Sequence, residues 1–467
     1  MTYYQSGIGT YDAGGLSNGV AAAFDMAVGS GLGHHIRDAY RFIMQTYREG
    51  DKICLFGFSR GAYTARCLAG MIHKVGLLPA HNQAQLAFAY EFYKDDTVEG
   101  WKMSGEFKRT FSIDVHFIGV FDSVASVGFI PRTLPLSSTP KNKPAYFRHA
   151  MALDERRAKF KVARYQRRDR IIDPAQQQHH HSLAAAHEQP EGPVRTFSAD
   201  LGVDKLTPDD SNPYTAHETK PVQDTNILEV WFAGCHADVG GGAVGNDVRH
   251  KLSQIPLRWM LRQCFECDTG IMFHAHRLAE EGLDVHTLWP KYTRLERPKT
   301  EPPRAFVEKY EKGELGHIRR RKTALQPVPS SLPSPSPSPS PSREPQGKKR
   351  EKEEYALKIW HDASQTQHAD YWVPEQVEDF FDALQPMNDQ LAVAPSWWIL
   401  EYLPVEVKLQ NAERNAWTTA WAMNMGMFRP VQESDPHLHW TVQERMDREG
   451  YQVRVRTNRD VEWRVVV

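Results

Sequence analysis

The stretch ICLFGFSRGAYTARCLAG at residues 53–70 constrains the fold more strongly than any other part of the chain. A short apolar run ends in GFSRG at 57–61, and a segment with apolar residues at helical spacing follows at once. A serine on a sharp turn between a strand and a helix is typical of a nucleophile elbow, whose flanking glycines prevent a steric clash. The context therefore predicts that Ser59 is a nucleophile, and a plain strand-to-helix turn is the alternative.

Apolar runs alternate with helical patterns along the N-terminal half of the chain. Apolar strands that alternate with helices are typical of a parallel sheet that is covered on both faces. The expected fold class is therefore α/β, with a mostly parallel sheet and helices on both sides. We expect strands at 53–57, 113–121 and 227–234, and helices at 34–48, 62–74 and 252–265.

Two later strand ends carry the other groups that serine catalysis requires. The second apolar run ends at Asp122, and WFAGCHADVGGG supplies His236 and Asp238. A serine nucleophile needs a general base, and the base needs an orienting acid. The chain order Ser59, Asp122, His236 matches the hydrolase order of nucleophile, acid and base. A helix cap at Asp122 and a loop histidine at His236 are the structural alternatives, and Asp238 is the alternative acid or a cap of the glycine loop.

The helix that follows Ser59 supplies a site for negative charge. Backbone N–H groups at a helix N-terminus point toward an oxyanion that forms beside the serine. We expect the N–H of Arg60 to be the first oxyanion donor, while its guanidinium either pairs with a phosphate or holds a carboxylate. This mechanism requires no cofactor, and we expect none.

Charge and cysteine content restrict the function further. The net charge of −1 gives no electrostatic argument for nucleic acid, so we expect no nucleic-acid partner. Five cysteines, an odd number, fit a reducing compartment better than a disulfide framework, and we expect a cytoplasmic protein without a signal peptide or a transmembrane helix. A C-x-x-C at Cys264 and Cys267 and three histidines at 179–181 are weak metal signals, and we expect no metal site.

Several motifs together resemble a known family. GFSRGAYTAR and HADVGGG form a specific pair, and they occur with YYQSGIGTY, FIGVFDSVASVG, RHAMALDERRAKF, SWWILEYLP and LHWTVQERM. In these stretches, from residue 3 to about 446, the chain resembles the uncharacterized α/β-hydrolase domain family of fungi and bacteria that includes the type VI secretion phospholipase effectors. The resemblance implies an α/β-hydrolase fold and a serine esterase that acts on lipids, with phospholipase activity in the bacterial effectors.

The resemblance also implies site residues. Ser59 matches the nucleophile of the family, and Asp122 and His236 match motif positions that imply the acid and the base. His439 lies in the C-terminal histidine motif and is the rival base. The implied partner is a lipid or another ester substrate. The aromatic stretch at 397–400 either packs in the core, lines an acyl site or makes a peripheral membrane contact.

The chain departs from the family pattern at its start. Family members usually carry a strand and an Asp-Gly-Thr loop ahead of the YYQSGIGT segment, which here begins at residue 3. We expect the first family strand to be missing together with a second oxyanion donor, whose loss typically lowers the rate ~10²–10³-fold; the loop at 7–15 is the alternative donor. The alternative function is a catalytically degenerate member that acts as a binding or scaffold protein, and a metal hydrolase site at HADVGGG is a third interpretation.

Composition divides the chain into three parts. Residues 1–325 form the expected α/β-hydrolase-like catalytic domain, with a low-complexity insert near 176–193. Residues 326–354 are a Pro/Ser-rich, charged segment that cannot bury enough apolar surface to order itself. Residues 355–467 are rich in aromatic side chains, and we expect a helical and hairpin part that packs on the catalytic domain, with the hairpin at YQVRVRTNRDVEWRVVV.

Overall fold

A central parallel sheet organises the part of the chain that the structure describes. In the computed structural model this part comprises residues 1–7, 32–108, 113–124, 144–165, 225–312 and 372–467. The glycine-rich segment from residue 8 onward and the inserts predicted near 176–193 and at 326–354 lie outside it. The character of these segments therefore stays a prediction.

Six strands form the main sheet, and every adjacent pair is parallel. Their order in the sheet is β1 (Ile53–Phe58), β2 (Val115–Phe121), β3 (Tyr146–Ala152), β4 (Asn226–Phe232), β8 (His437–His439) and β10 (Arg464–Val466). The α/β prediction with a mostly parallel sheet is thereby confirmed. Within the described residues, β1 and β10 lie at the two edges of this sheet. The other described strands are β5 (Pro404–Gln410), β6 (Trp417–Met423), β7 (Pro430–Val431) and β9 (Arg456–Thr457).

Helices cover both faces of the sheet. The described α-helices are α1 (Leu32–Thr46), α2 (Arg60–Val75), α3 (Leu86–Lys94), α4 (Val98–Lys108), α5 (His236–Gly240), α6 (Gln254–Glu266), α7 (Ala275–Glu280), α8 (Val285–Leu288), α9 (Arg304–Glu311), α10 (Pro374–Ala383), α11 (Gln390–Val393), α12 (Trp398–Glu401) and α13 (Trp440–Glu449). Among them, none has the length and the apolar character that a membrane crossing would need.

The two faces of the sheet belong to two apolar cores. Ile118 and Val120 of β2 pack with α1 and α2, whereas Phe117 packs on the other face with Trp259 and Met260 of α6. Because α2 lies between the sheet and the neighbouring helices, most of its residues are buried, including the small side chains that allow close packing. This position fixes the start of α2 directly behind the end of β1.

The C-terminal part contributes strands to the same sheet. β8 pairs with β4, and β10 pairs with β8. Buried ion pairs between α6 and α10 join the same two regions, since Arg258 Nε donates to Asp379 at 2.7 Å and Arg262 Nε donates to Glu375 at 2.6 Å. Residues on both sides of the Pro/Ser-rich insert therefore build one core.

The predicted hairpin at the C-terminal end is wrong. β9 pairs in parallel with β7, and β10 pairs in parallel with β8, so the two runs lie in different sheets. Asn458, at the expected turn, instead accepts a hydrogen bond from Trp417 Nε1 at 2.5 Å and donates to the Gln432 carbonyl at 3.1 Å. Period-two alternation indicates which face of a strand is buried but does not select the partner strand.

Candidate active site

The elbow has the geometry that the sequence predicts. β1 ends at Phe58, α2 begins at Arg60, and Ser59 between them has φ 58° and ψ −122°. Its backbone N–H donates to the carbonyl of Phe121, at the end of the neighbouring strand, at 3.1 Å. A residue other than glycine in such a conformation costs of order 1–3 kcal/mol, which the surrounding packing must offset. The strand-turn-helix context of Ser59 is confirmed.

The two glycines of the elbow differ in their packing. A Cβ atom at Gly57 would overlap the carbonyl oxygen of Gly61, so only glycine fits at this position. A Cβ atom at Gly61 would have no described atom within 4 Å. The expected steric need for glycine is therefore correct at Gly57 and wrong at Gly61, because the described residues leave space for a Cβ atom beside the first turn of α2.

Asp122 lies at the end of β2, next to the elbow, and is fully buried with φ 37°. Its Oδ1 accepts a hydrogen bond from the backbone N–H of Ala152 at 2.9 Å. Arg429 forms a two-pronged ion pair with the carboxylate, with Nη1 2.6 Å from Oδ1 and Nη2 2.9 Å from Oδ2. Burial opposes ionisation, but the charge of Arg429 and the hydrogen bonds of His236 and Arg429 hold the pKa of Asp122 well below its usual range.

His236 lies at the start of α5, directly after the loop that follows β4. Its Nδ1 is 2.6 Å from Asp122 Oδ2, and its ring lies between the rings of Phe58 and Phe160, with centroid distances of 4.6 and 4.8 Å. Because the Asp122 carboxylate is ionised, it accepts a hydrogen bond from the Nδ1–H group and leaves Nε2 as the basic nitrogen of the ring. The structure therefore brings Asp122 and His236 together as an acid–imidazole pair.

The elbow and the imidazole border the same space. Phe58, which precedes Ser59, contacts the His236 ring, and a Cβ atom at Gly240 of α5 would overlap the Phe58 ring. In the described part of the chain, no hydrogen bond joins the Ser59 hydroxyl to the His236 imidazole. Hydrogen bonds of this kind are often long in the absence of substrate and shorten in the complex.

The rival base, His439, and the alternative acid, Asp238, make other contacts. His439 is buried at the end of β8, stacks on Phe232 with a centroid distance of 4.8 Å, and has Nδ1 2.9 Å from Thr441 Oγ1. Burial and the nearby charge of Arg258 lower its pKa to about 3. Asp238 lies on α5 with His236, and its carboxylate accepts hydrogen bonds from the backbone N–H groups of Cys235 at 2.8 Å and Asn388 at 2.9 Å. Asp238 therefore caps α5, and the carboxylate that contacts the His236 imidazole is that of Asp122.

The loop after β3 forms a wall of the site that the sequence reasoning did not assign. Glu155 accepts a hydrogen bond from the backbone N–H of His236 at 3.2 Å and pairs with Arg157 at 2.8 Å. The Arg157 guanidinium lies 3.6 Å from the ring centroid of Phe160 and 4.7 Å from that of Trp397. The motif RHAMALDERRAKF contains Glu155, Arg157 and Phe160, so the motif itself was the available signal. Arg429 lies in none of the motifs that the sequence analysis identified.

The described residues offer no cluster of three or more His, Cys, Asp or Glu side chains that is arranged to hold a metal ion. Cys264 and Cys267 are buried free thiols, and Arg148 Nη2 lies 3.0 Å from the Cys267 sulfur. Burial raises the pKa of Cys264 and is the largest influence on the raised pKa of Cys267. The histidines at 179–181 lie outside the described residues.

The structure is an α/β protein that places a serine elbow after β1 and an Asp–His pair after β2 and β4, all at the carboxyl ends of parallel strands. The chain belongs to the family of type VI secretion system (T6SS) phospholipase effector Tle1-like catalytic domains, whose model matches residues 1–263. The family indicates a hydrolase of the lipase or phospholipase type.

A yeast protein is also similar to this chain. The chain is 26% identical over 538 aligned positions to the uncharacterized protein YEL023C of Saccharomyces cerevisiae, with 95% of this chain and 73% of that protein covered. No solved structure matches the chain at a significant level.

Proposed function

We propose that this protein is a serine hydrolase that cleaves ester bonds of lipids or phospholipids. Ser59 is the nucleophile, His236 the general base and Asp122 the acid that orients it. The observation that carries the proposal is the 2.6 Å contact of Asp122 Oδ2 with His236 Nδ1, beside an elbow that holds Ser59 at φ 58°. A buried carboxylate on Nδ1 is the arrangement that makes Nε2 a base toward a serine hydroxyl.

The reaction proceeds by acyl transfer. His236 Nε2 removes the proton of Ser59 as Oγ attacks the ester carbonyl, and the tetrahedral intermediate places its negative charge near the first turn of α2. The N–H of Arg60, the first residue of that helix, stabilises this oxyanion. His236 then gives the proton to the leaving alcohol, and a water molecule activated by the same base releases the acid. Asp122 stays ionised throughout and orients the imidazole.

Apolar surface near the site supports a lipid as substrate. Trp397 packs on Phe160 with a centroid distance of 5.5 Å, and Phe160 packs on His236. Next to Trp397, the segments at 399–403 and 421–425 expose large apolar side chains. These are Ile399, Tyr402, Leu403, Trp421, Met423 and Met425, which we name the apolar face. The protein makes a peripheral membrane contact through this face, since exposed aromatic and apolar groups partition into the lipid–water interface.

The free thiols support a cytoplasmic location. All five cysteines are free, which fits a reducing environment, and the proposed location is therefore the cytoplasm. 

Labelling with a fluorophosphonate probe tests the proposal. The wild-type protein should react with the probe, and Ser59→Ala should not react while its circular dichroism spectrum and melting temperature stay unchanged. Labelling of both proteins would show that another nucleophile reacts. A folded wild-type protein that is not labelled would instead support the alternative, a degenerate family member with a binding or scaffold role.

A further inference from the structure

Arg429 reaches the site from the far end of the chain. It directly precedes β7, its side chain is buried, and it lies 307 positions after Asp122 in the sequence. This position lies well beyond residues 1–263, which the family model matches. The acid of the proposed triad is therefore held by a residue that the matched region does not contain.

The guanidinium fixes the orientation of the carboxylate. Nη1 and Nη2 each donate to one oxygen of Asp122, and Nη1 also donates to the Ala152 carbonyl at 2.8 Å while Nη2 donates to the Phe160 carbonyl. A planar guanidinium that binds both oxygens sets the plane of the carboxylate as well as its charge. Oδ2 is thereby held in the position from which it contacts His236 Nδ1.

The segment that carries Arg429 is itself anchored beside the site. Glu401 is buried and accepts hydrogen bonds from Asn424 Nδ2 at 2.6 Å, from the Gly426 N–H at 2.9 Å and from the Ala158 N–H at 2.6 Å. The Glu401 carboxylate thus connects the residues that precede Arg429 to the loop that carries Phe160. These hydrogen bonds fix the backbone that carries Arg429, and therefore the position of its guanidinium beside Asp122.

We propose that Arg429 is a positioning residue of this site, which orients the Asp122 carboxylate toward His236, and that the site is complete only with the segment at 424–431. The inference rests on the proposed function and adds to it a requirement for the C-terminal part of the chain. A purely structural ion pair would tolerate any change that preserves the fold, whereas a positioning role requires the two-pronged geometry.

The experiment compares full-length Arg429→Met and Arg429→Lys with the wild type by two readouts. The first is the rate of fluorophosphonate labelling of the folded protein, which should fall ~10²-fold or more in Arg429→Met, by analogy with triads whose acid no longer orients the histidine. The second is the far-downfield proton resonance of the His236 Nδ1–H, assigned by its loss in His236→Gln. It should be present in the wild type and absent or shifted in Arg429→Met.

Arg429→Lys keeps the charge but not the two-pronged contact, so its labelling should also be slow, which decides the question if Arg429→Met does not fold. Arg258→Met is the matched control, because Arg258 is an equally buried arginine that binds Asp379 and Asp382 away from the site. It should destabilise the protein but label at the wild-type rate per folded molecule.

The two proposals fail in different ways. A wild-type protein that is not labelled contradicts the proposed function, while the resonance still reports on the contact between Asp122 and His236. Wild-type labelling rates and an unchanged resonance in the Arg429 variants would overturn the positioning role alone.

Discussion

The backbone N–H of Ser123 donates a hydrogen bond to Nε2 of His149, at 3.1 Å, in the interior of the protein. His149 Nδ1 in turn lies 3.0 Å from Glu229 Oε1, on the adjacent strand. The imidazole is therefore neutral, with Nε2 as acceptor and Nδ1 as donor. Because Ser123 follows Asp122, which has φ 37°, this second acid–imidazole pair supports the turn that presents the proposed catalytic acid.

Replacement of His149 by phenylalanine keeps the ring but removes both nitrogens. The Ser123 N–H loses its acceptor, and an orphaned buried donor costs about 1–3 kcal/mol, whereas Glu229 Oε1 keeps the hydrogen bond from the Tyr165 N–H. We expect the free energy of unfolding of His149→Phe to fall by about 1–3 kcal/mol, measured by urea titration. His81→Phe, at an exposed histidine, should change it by less than about 0.5 kcal/mol. Equal stabilities of the two variants would contradict the supporting role of His149.

Four buried groups each contribute stability that is lost as the pH falls. Desolvation lowers the pKa values of His149 and His439, the latter to about 3, so the unfolded chain binds protons first below its own pKa near 6.5. The pKa values of Asp122 and Glu229 are also lowered, because ion pairing outweighs their burial, so their stabilisation is lost below about pH 4. We expect His439 to remove about 1.4 kcal/mol per pH unit between about pH 6.5 and its folded-state pKa of about 3.

Urea unfolding at pH 7.5, 6.5, 5.5 and 4.5 measures this dependence. His439→Phe keeps the stacking on Phe232 but cannot bind a proton, so its stability should fall less steeply with pH than that of the wild type. Parallel curves for the two proteins would show that His439 does not contribute to the pH dependence of the free energy of unfolding.

The parts of the site that could be predicted from the sequence are those that end a regular apolar run. Ser59 and Asp122 follow β1 and β2 directly, and His236 follows β4 after a short turn. Local patterns therefore placed all three residues at the carboxyl ends of the parallel strands. Arg429 precedes a strand of only two residues, which is too short for any period to appear in the sequence. Its role depends on a tertiary contact that no local pattern encodes.

The same limit explains the error at the C-terminal end. β9 and β10 comprise two and three residues. Each pairs with an equally short strand, and the two strands of each pair are not joined by a tight turn. Alternation over so few residues cannot distinguish a hairpin from two separate parallel pairings. The long apolar strands β2, β3 and β4 in contrast are buried through most of their length, and β2 and β4 were predicted within two residues of their ends.

The two candidate bases can be separated by substitution. His236→Gln removes the group that contacts Asp122, and we expect fluorophosphonate labelling to slow by about 10³-fold or more, as when a triad histidine is lost. His439→Phe should label at the wild-type rate per folded molecule, because His439 lies against Phe232 and Thr441 rather than at the elbow. The reverse pattern would make His439 the base.

The two elbow glycines provide a matched pair of variants. Gly57→Ala would place a methyl group against the Gly61 carbonyl, so the turn must distort, and we expect labelling of Ser59 to fall at least about tenfold with a loss of about 1–3 kcal/mol in stability. Gly61→Ala enters open space within a helix, where alanine is favoured by about 0.5–1 kcal/mol, and it should keep its labelling. Thermal melts and labelling rates of both variants test this difference. Equal tolerance of the two alanines would contradict the packing of the elbow.

The apolar face predicts a difference between lipid surfaces and dissolved substrates. Trp421 is 69% exposed and Met423 is 51% exposed on β6, so serine at both positions removes apolar surface without opening the core. We expect Trp421→Ser/Met423→Ser to bind phosphatidylcholine vesicles about tenfold more weakly in a sedimentation assay, since each buried CH₂ contributes about 0.8 kcal/mol. Hydrolysis of a short-chain, water-soluble ester should stay at the wild-type rate, because the face lies outside the Asp122–His236 pair.

A matched control separates this face from exposed apolar surface in general. Phe88 on α3 is 65% exposed, and α3 packs on α2 and α4 rather than on the β5–β6 hairpin. Phe88→Ser should therefore bind vesicles as the wild type does. Equal weakening by both substitutions would mean that membrane contact follows from total exposed apolar area, and unchanged binding of the Trp421→Ser/Met423→Ser protein would remove the face from the path by which lipid reaches His236.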